Sequence, residues 1–150
     1  MTRLPVVVVG ALMLVGMPRL GEGACTISTT SISFGTYDPL GASPNDSTGT
    51  LTYRCGPPDR NVSIMLGAGG AGTFSPRQLS QGVERLSYNL YRDAARSVTW
   101  GDGTGGTSFY FIADPPNSQD VVLTIYARVP GGQDISAGSY ADTVSVVINF

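Results

Sequence analysis

Beyond residue 25, apolar and polar side chains alternate with a period of two, the signature of strands that bury one face. Ile32 and Phe34 alternate with serines, and Leu51, Tyr53 and Cys55 repeat the pattern. Val62, Ile64 and Leu66 form a third set, and Leu86, Tyr88 and Leu90 a fourth. A longer set runs Val121, Leu123, Ile125, Ala127 and Val129, and another runs Val144, Val146, Ile148 and Phe150. Phe109 and Phe111 predict one more short strand.

Turn-forming segments separate these runs: DPLGASPNDSTG (38–49), GPPDRN (56–61), GAGGAG (67–72), GDGTGG (101–106), DPPNSQ (114–119) and PGGQDISAG (130–138). Glycine enters turns because it tolerates positive φ, and proline because its φ is already set. Residues 75–84 (SPRQLSQGVE) read equally as a short helix or a loop, with Gly82 weakening the helix. About seven short strands and no sustained helical period favour two packed sheets over an α/β fold.

The first residues follow a different pattern. Thr2 and Arg3 give a weakly basic start, Pro5–Met17 (PVVVVGALMLVGM) is almost wholly apolar, and Gly21, Gly23 and Ala24 supply small residues. That order predicts a secretory signal over residues 1–24, cleaved after Gly23 or Ala24, ahead of one domain over 25–150. The apolar run of about 13 residues is short of the roughly 20 needed to cross a bilayer core, so no stable membrane insertion is expected. Cys25 after Ala24 invites a lipidation reading, which Glu22 opposes.

Export changes how the two cysteines read. In an oxidising compartment Cys25 and Cys55 default to one disulfide, two buried thiols being the alternative. Such a bridge contributes roughly 3.5 kcal/mol in the chain-entropy picture.

Charge adds exclusions. Seven arginines against ten acids in the mature part leave a net charge near −3, with neither sign in a block. That is not the concentrated basic face nucleic acid demands. Histidine and lysine are absent, so a serine or cysteine nucleophile lacks its usual base and no enzyme activity is expected. Asp38, Asp46, Asp59, Asp102, Asp114, Asp120 and Asp134 fall in or beside turns, where turn formation explains them. GDGTGG lacks the spaced acids of a calcium loop, and GAGGAG lacks the lysine of a phosphate loop. No metal or cofactor is expected. Tyr37, Tyr88, Tyr91, Trp100, Tyr110, Tyr126 and Tyr140 would make a sugar platform only if several shared one exposed face.

The last strand suggests a mode of action. DTVSVVINF carries four alternating apolar residues and no charge after Asp142. It reads either as an ordinary central strand or as an edge that accepts a strand from a partner.

Several motifs in order carry a resemblance. CTISTTSISFGTYDPL from Cys25, STGTLTYRC ending at Cys55, FSPRQL (74–79), LSYNLYRDA (86–94), WGDGTGG (100–106) and IYARVPGGQDISAGSYADTVSVVINF (125–150) resemble the spore coat protein U domain family, which includes pilin subunits of archaic chaperone–usher pili. The resemblance covers essentially the whole mature chain. It implies an all-β, immunoglobulin-like Greek-key sandwich lacking its final strand, with Cys25 and Cys55 bonded. It further implies a periplasmic pilus chaperone that lends a strand, an outer-membrane usher that exchanges it, and other pilin or coat subunits as neighbours.

Sheet periodicity and the family pattern together nominate Ile27, Ile32, Phe34, Val144, Val146, Ile148 and Phe150 as the acceptor groove. The implied role is a non-enzymatic structural subunit of a surface pilus or coat. One departure is that family pilins carry a donor segment before the first cysteine, whereas at most Ala24 would remain here after cleavage. That points to a terminal or tip position, or to a coat protein. The alternative is a self-complete secreted module that binds a sugar or surface ligand.

Overall fold

The computed structural model describes residues 24–150 and the backbone strand Leu4–Val7. Most of the expected leader, with its cleavage zone at Gly21 and Gly23, lies outside the described residues. The strands are β1 (Leu4–Val7), β2 (Thr26–Thr29), β3 (Ser33–Tyr37), β4 (Asn45–Arg54), β5 (Val62–Leu66), β6 (Arg77–Gln81), β7 (Glu84–Tyr91), β8 (Tyr110–Ile112), β9 (Asp120–Val129) and β10 (Val146–Asn149). No helix occurs among the described residues.

Two main sheets face each other. One has the order β2-β4-β9-β7-β6 and the other β10-β5-β8, while β1 and β3 form a separate pair. Every strand pairing is antiparallel. Inward side chains of β4 (Leu51, Tyr53), β7 (Leu86, Tyr88, Leu90) and β9 (Ile125, Ala127, Val129) meet those of β5 (Val62, Ile64, Leu66) and β10 (Val146, Ile148) in one core. Connections cross between the sheets at β4–β5, β5–β6, β7–β8, β8–β9 and β9–β10, giving an immunoglobulin-like sandwich.

Cys25 lies just before β2 and Cys55 just after β4, and the two strands pair from Thr26↔Arg54 to Thr29↔Leu51. The disulfide joins them with an S–S length of 2.06 Å and so fastens the end of an existing ladder.

Three local expectations are corrected. Of residues 75–84, Ser75 and Pro76 lie in a turn, as the loop reading allowed, but the rest form β6 and a two-residue turn into β7, with Gln81 opposite Glu84. Gly82 supplies the positive φ (57°) at the first turn position, as a II′ hairpin turn requires. Residues 45–49 belong to β4, because Asn45 through Arg54 pair without interruption with Val129 through Asp120 of β9. Asp46 and Asp120 therefore sit on strands. Gly49 faces inward where a Cβ would stand 2.6 Å from Ile32 Cγ1, so the glycine marks a close approach, not a turn. The strand near Phe109 and Phe111 exists as β8, but its inward residues are Tyr110 and Ile112, while Phe111 is 60% exposed. Tyr110 packs edge-on against buried Trp100, with ring centroids 4.7 Å apart, and that contact decides the strand's facing.

Candidate functional site

The core residues on or beside β2, β3 and β10 are slightly more exposed than those at its centre. Ile27, Ile32, Phe34, Val146 and Ile148 keep 6–7% exposure, whereas Leu51, Val62, Ile64, Leu66, Leu79 and Leu86 keep at most 1%. All five are buried, a few per cent less completely than those six; Cys25 keeps 7% as well, and Leu90 and Ile125 4% each. Val144 is half-buried and packs against the same cluster. Phe150 does not join it: the residue follows the end of β10 and is 46% exposed.

β10 and β3 each pair on one edge alone among the described residues. β10 pairs with β5, from Val146↔Leu66 to Asn149↔Ser63, and with no other strand among the described residues. β3 has no ladder with β4. Instead Asn45 Nδ2 donates to Phe34 O (3.3 Å) and Thr36 O (2.9 Å), and the Ser47 hydroxyl donates to Ser33 O (2.7 Å). These side-chain bonds fasten β3 to the rim of the five-stranded sheet. Its ladder partner is β1, which lies antiparallel with Leu4 opposite Tyr37, Pro5 opposite Thr36, Val6 opposite Gly35 and Val7 opposite Ser33.

Beside β10 lies a buried polar cluster that sequence reasoning missed. Arg77 on β6 is fully buried. Its Nε and Nη2 donate to Gly67 O at 2.9 and 2.8 Å, Nη2 also to Trp100 O at 2.7 Å, and Nη1 to Asn89 Oδ1 at 2.8 Å. Burial lowers its pKa to about 10, which leaves it a cation at neutral pH.

Next to it the Tyr88 hydroxyl donates to Asp142 Oδ2 at 2.6 Å, and Asp142 Oδ1 accepts from the Gly70 and Thr143 amides. Burial first, then the bond to Asp142, pushes the Tyr88 phenol well above its ordinary range. Gly67 N also donates to Ser145 O at 2.8 Å. The FSPRQL, LSYNLY, WGDGTGG and GSYADTV motifs therefore meet in one place and hold the segment that leads into β10.

Other candidates resolve differently. Tyr37, Tyr88, Tyr140 and Trp100 are core residues, while Tyr91 and Tyr126 face each other across β7 and β9. The sulfurs of Cys25 and Cys55 lie near the Asp59 carboxylate, but in a disulfide they offer no thiolate to a metal, and Asp59 accepts from the Gly56 amide at 3.1 Å. Asp102 accepts from the Thr104 amide and hydroxyl, closing its own turn.

Comparisons with known proteins bear on the whole domain. The family model of the Spore Coat Protein U domain matches residues 17–147. Protein U of Myxococcus xanthus is 34% identical over 145 residues, spanning 85% of this chain and 78% of that protein. Among solved structures, a chain in the CsuC–CsuE chaperone–tip adhesion subunit pre-assembly complex from archaic chaperone–usher Csu pili of Acinetobacter baumannii shares the fold, with TM-score 0.54 and 18% identity. The match covers 85% of this chain and 40% of that one. The Escherichia coli Hda pilus minor tip subunit HdaB matches at TM-score 0.39 and 16% identity, over 82% of this chain and 79% of that one; that likeness is too loose to bear on the fold. The family model spans nearly the whole chain and the relative covers most of both sequences, so the chain belongs to the Spore Coat Protein U domain family.

Proposed function

We propose that this chain is an exported, non-enzymatic structural subunit of a surface pilus or coat, completed by a strand that another chain inserts between β3 and β10. The observation that carries the reading is the edge of β10 that pairs with no strand among the described residues, next to the inward Val146 and Ile148. An unpaired edge that flanks a row of aliphatic side chains is a template for strand addition. The pairing of Leu4–Val7 with β3 supports it further, because that edge accommodates an extended segment.

In this reading residues 1–24 direct export and are removed, and a periplasmic chaperone holds the subunit in transit. An outer-membrane usher then passes it to neighbouring subunits. The fold shared with a chain of a chaperone–subunit complex supports the chaperone step. Cleavage at Gly23 or Ala24 would leave at most one residue before Cys25, so the subunit takes a strand without giving one, which suits a terminal place in an assembly.

The test is export of the full chain, leader included, to an oxidising periplasm with and without a cognate archaic-type chaperone, read by co-purification and size-exclusion chromatography. A one-to-one complex with the chaperone, and aggregation or degradation without it, is the expected result. A stable unassisted monomer would show that the sandwich closes itself and would sink the proposal.

A further inference from the structure

The alternation in β3 contains a break whose consequence lies at the proposed acceptor edge. Ile32 and Phe34 are buried at the expected spacing of two, but the next buried residue is Tyr37, not Thr36. Gly35 accounts for the shift: it has φ 67° and sits where the pairing with β1 slips, so that Val6 faces Gly35 and Val7 faces Ser33, with Phe34 left over. An extra residue with a left-handed glycine on one strand is a β-bulge, which reverses the facing of everything beyond it. Tyr37 thereby turns inward, where its hydroxyl donates to Pro130 O at 2.9 Å and accepts from the Gln133 amide at 2.8 Å.

From this we infer that Gly35 sets the register of the incoming strand. Antiparallel pairing across an unbroken edge is degenerate, since an apolar strand shifted by two residues presents the same face. A bulge removes the degeneracy, because the partner must cross it at one place. β3 cannot slide to compensate: Asn45 and Ser47 hold its carbonyls at Ser33, Phe34 and Thr36. The inference rests on the strand-acceptance reading and adds to it a requirement on the donor. The donor is an extended apolar segment, antiparallel to β3, with consecutive residues opposite Gly35 and Ser33.

The constraint is conformational. Among the described residues, no atom beyond its own chain neighbours lies within 4 Å of a Cβ built on Gly35, so within the domain it is the positive φ that resists a larger residue. Asparagine tolerates that φ, and a β-branched residue does not.

The experiment uses the exported, processed chain refolded with a synthetic peptide of residues 2–9 carrying a soluble tail. Thr36→Cys in the chain is paired with Leu4→Cys, Pro5→Cys or Val6→Cys in the peptide, and cross-linking is scored under mild oxidation. The expected result is preferential cross-linking at Pro5→Cys. This preference should persist in Gly35→Asn, whereas Gly35→Val should scatter it and weaken peptide binding roughly tenfold. Far-UV and near-UV spectra, taken alongside, report whether each variant keeps its fold. Should Gly35→Val fold poorly, scattered cross-linking in the milder Gly35→Ala variant supports the inference, and an unchanged pattern there overturns it. Binding with the same register in a folded Gly35→Val variant overturns the register role alone. Failure of every peptide to bind the unsubstituted chain overturns strand acceptance, and this inference with it.

Discussion

Replacing Arg77 with methionine is the sharpest probe of the polar cluster beside β10. The guanidinium is fully buried and donates to Gly67 O, Trp100 O and Asn89 Oδ1. Methionine fills much of the same volume, so the cavity contribution is small. The cost comes from the acceptors left behind. Asn89 Oδ1 still accepts from the Leu90 amide, but two backbone carbonyls lose these donors, at about 1–3 kcal/mol each. Relief of the cation's desolvation, visible in its lowered pKa, offsets part of this. The net expectation is a loss of about 3 kcal/mol, out of the roughly 5–15 kcal/mol that holds a domain of this size.

Trp100 is the chain's single tryptophan, and its carbonyl is one of the orphaned acceptors. Urea unfolding followed by its fluorescence therefore reads the site directly. Arg77→Lys should also lose stability, since an ammonium on a flexible stem cannot replace a fork that spans three acceptors. An unfolding free energy within about 0.5 kcal/mol of the parent, the usual range for a surface change, would refute the role given to this cluster.

Two further tests address the groove and the acid side. Ile148→Asp should abolish assembly or folding, because it places a charge among buried aliphatic side chains, while Phe150→Asp should be tolerated at a position 46% exposed; equal loss of chaperone co-purification in both would contradict the assigned inward face. Asp46 is held below the ordinary carboxylate range, first by its hydrogen bonds from Arg128, then by the charge of Arg96, which outweigh its burial. Its contribution is therefore present above the ordinary carboxylate pKa and lost as pH falls through the lower folded value. The pair is partly exposed and is expected to contribute about 0–1 kcal/mol. Asp46→Asn should cost that amount near neutrality and nothing in strong acid, as melting at several pH values would show; a constant difference across the range would contradict the linkage.

The strands whose inward apolar residues recur with a period of two were legible as sequence: β4 beyond Gly49, β5, β7 and β9 lie where alternation puts them. The failures have physical causes. β6 reads RQLSQ, with a single aliphatic residue, and its other inward position is an arginine, whose burial becomes possible only when carbonyls from two distant segments converge on it. Residues 45–49 have turn composition, yet their outward polar side chains suit a solvent-facing strand and their glycine makes room for Ile32. Alternation told which face of β10 is buried but could not tell which edge is unpaired, since edges are a property of topology. The bulge at Gly35 was written in the spacing from Phe34 to Tyr37, but a tyrosine beyond a glycine reads equally well as a loop residue.

The bond between Tyr88 and Asp142 also has a consequence in time. In the proposed export the chain emerges from its first residues onward, so β4 through β9 would be outside before residue 142 appears. Until then Arg77, Tyr88 and the carbonyl of Gly67 are present without the segment that locks them to β10, and β5 has an uncovered flank. The interval is longest when translocation is slow. Synonymous or pausing changes that delay only the final stretch should then increase degradation of the nascent subunit without altering the finished one.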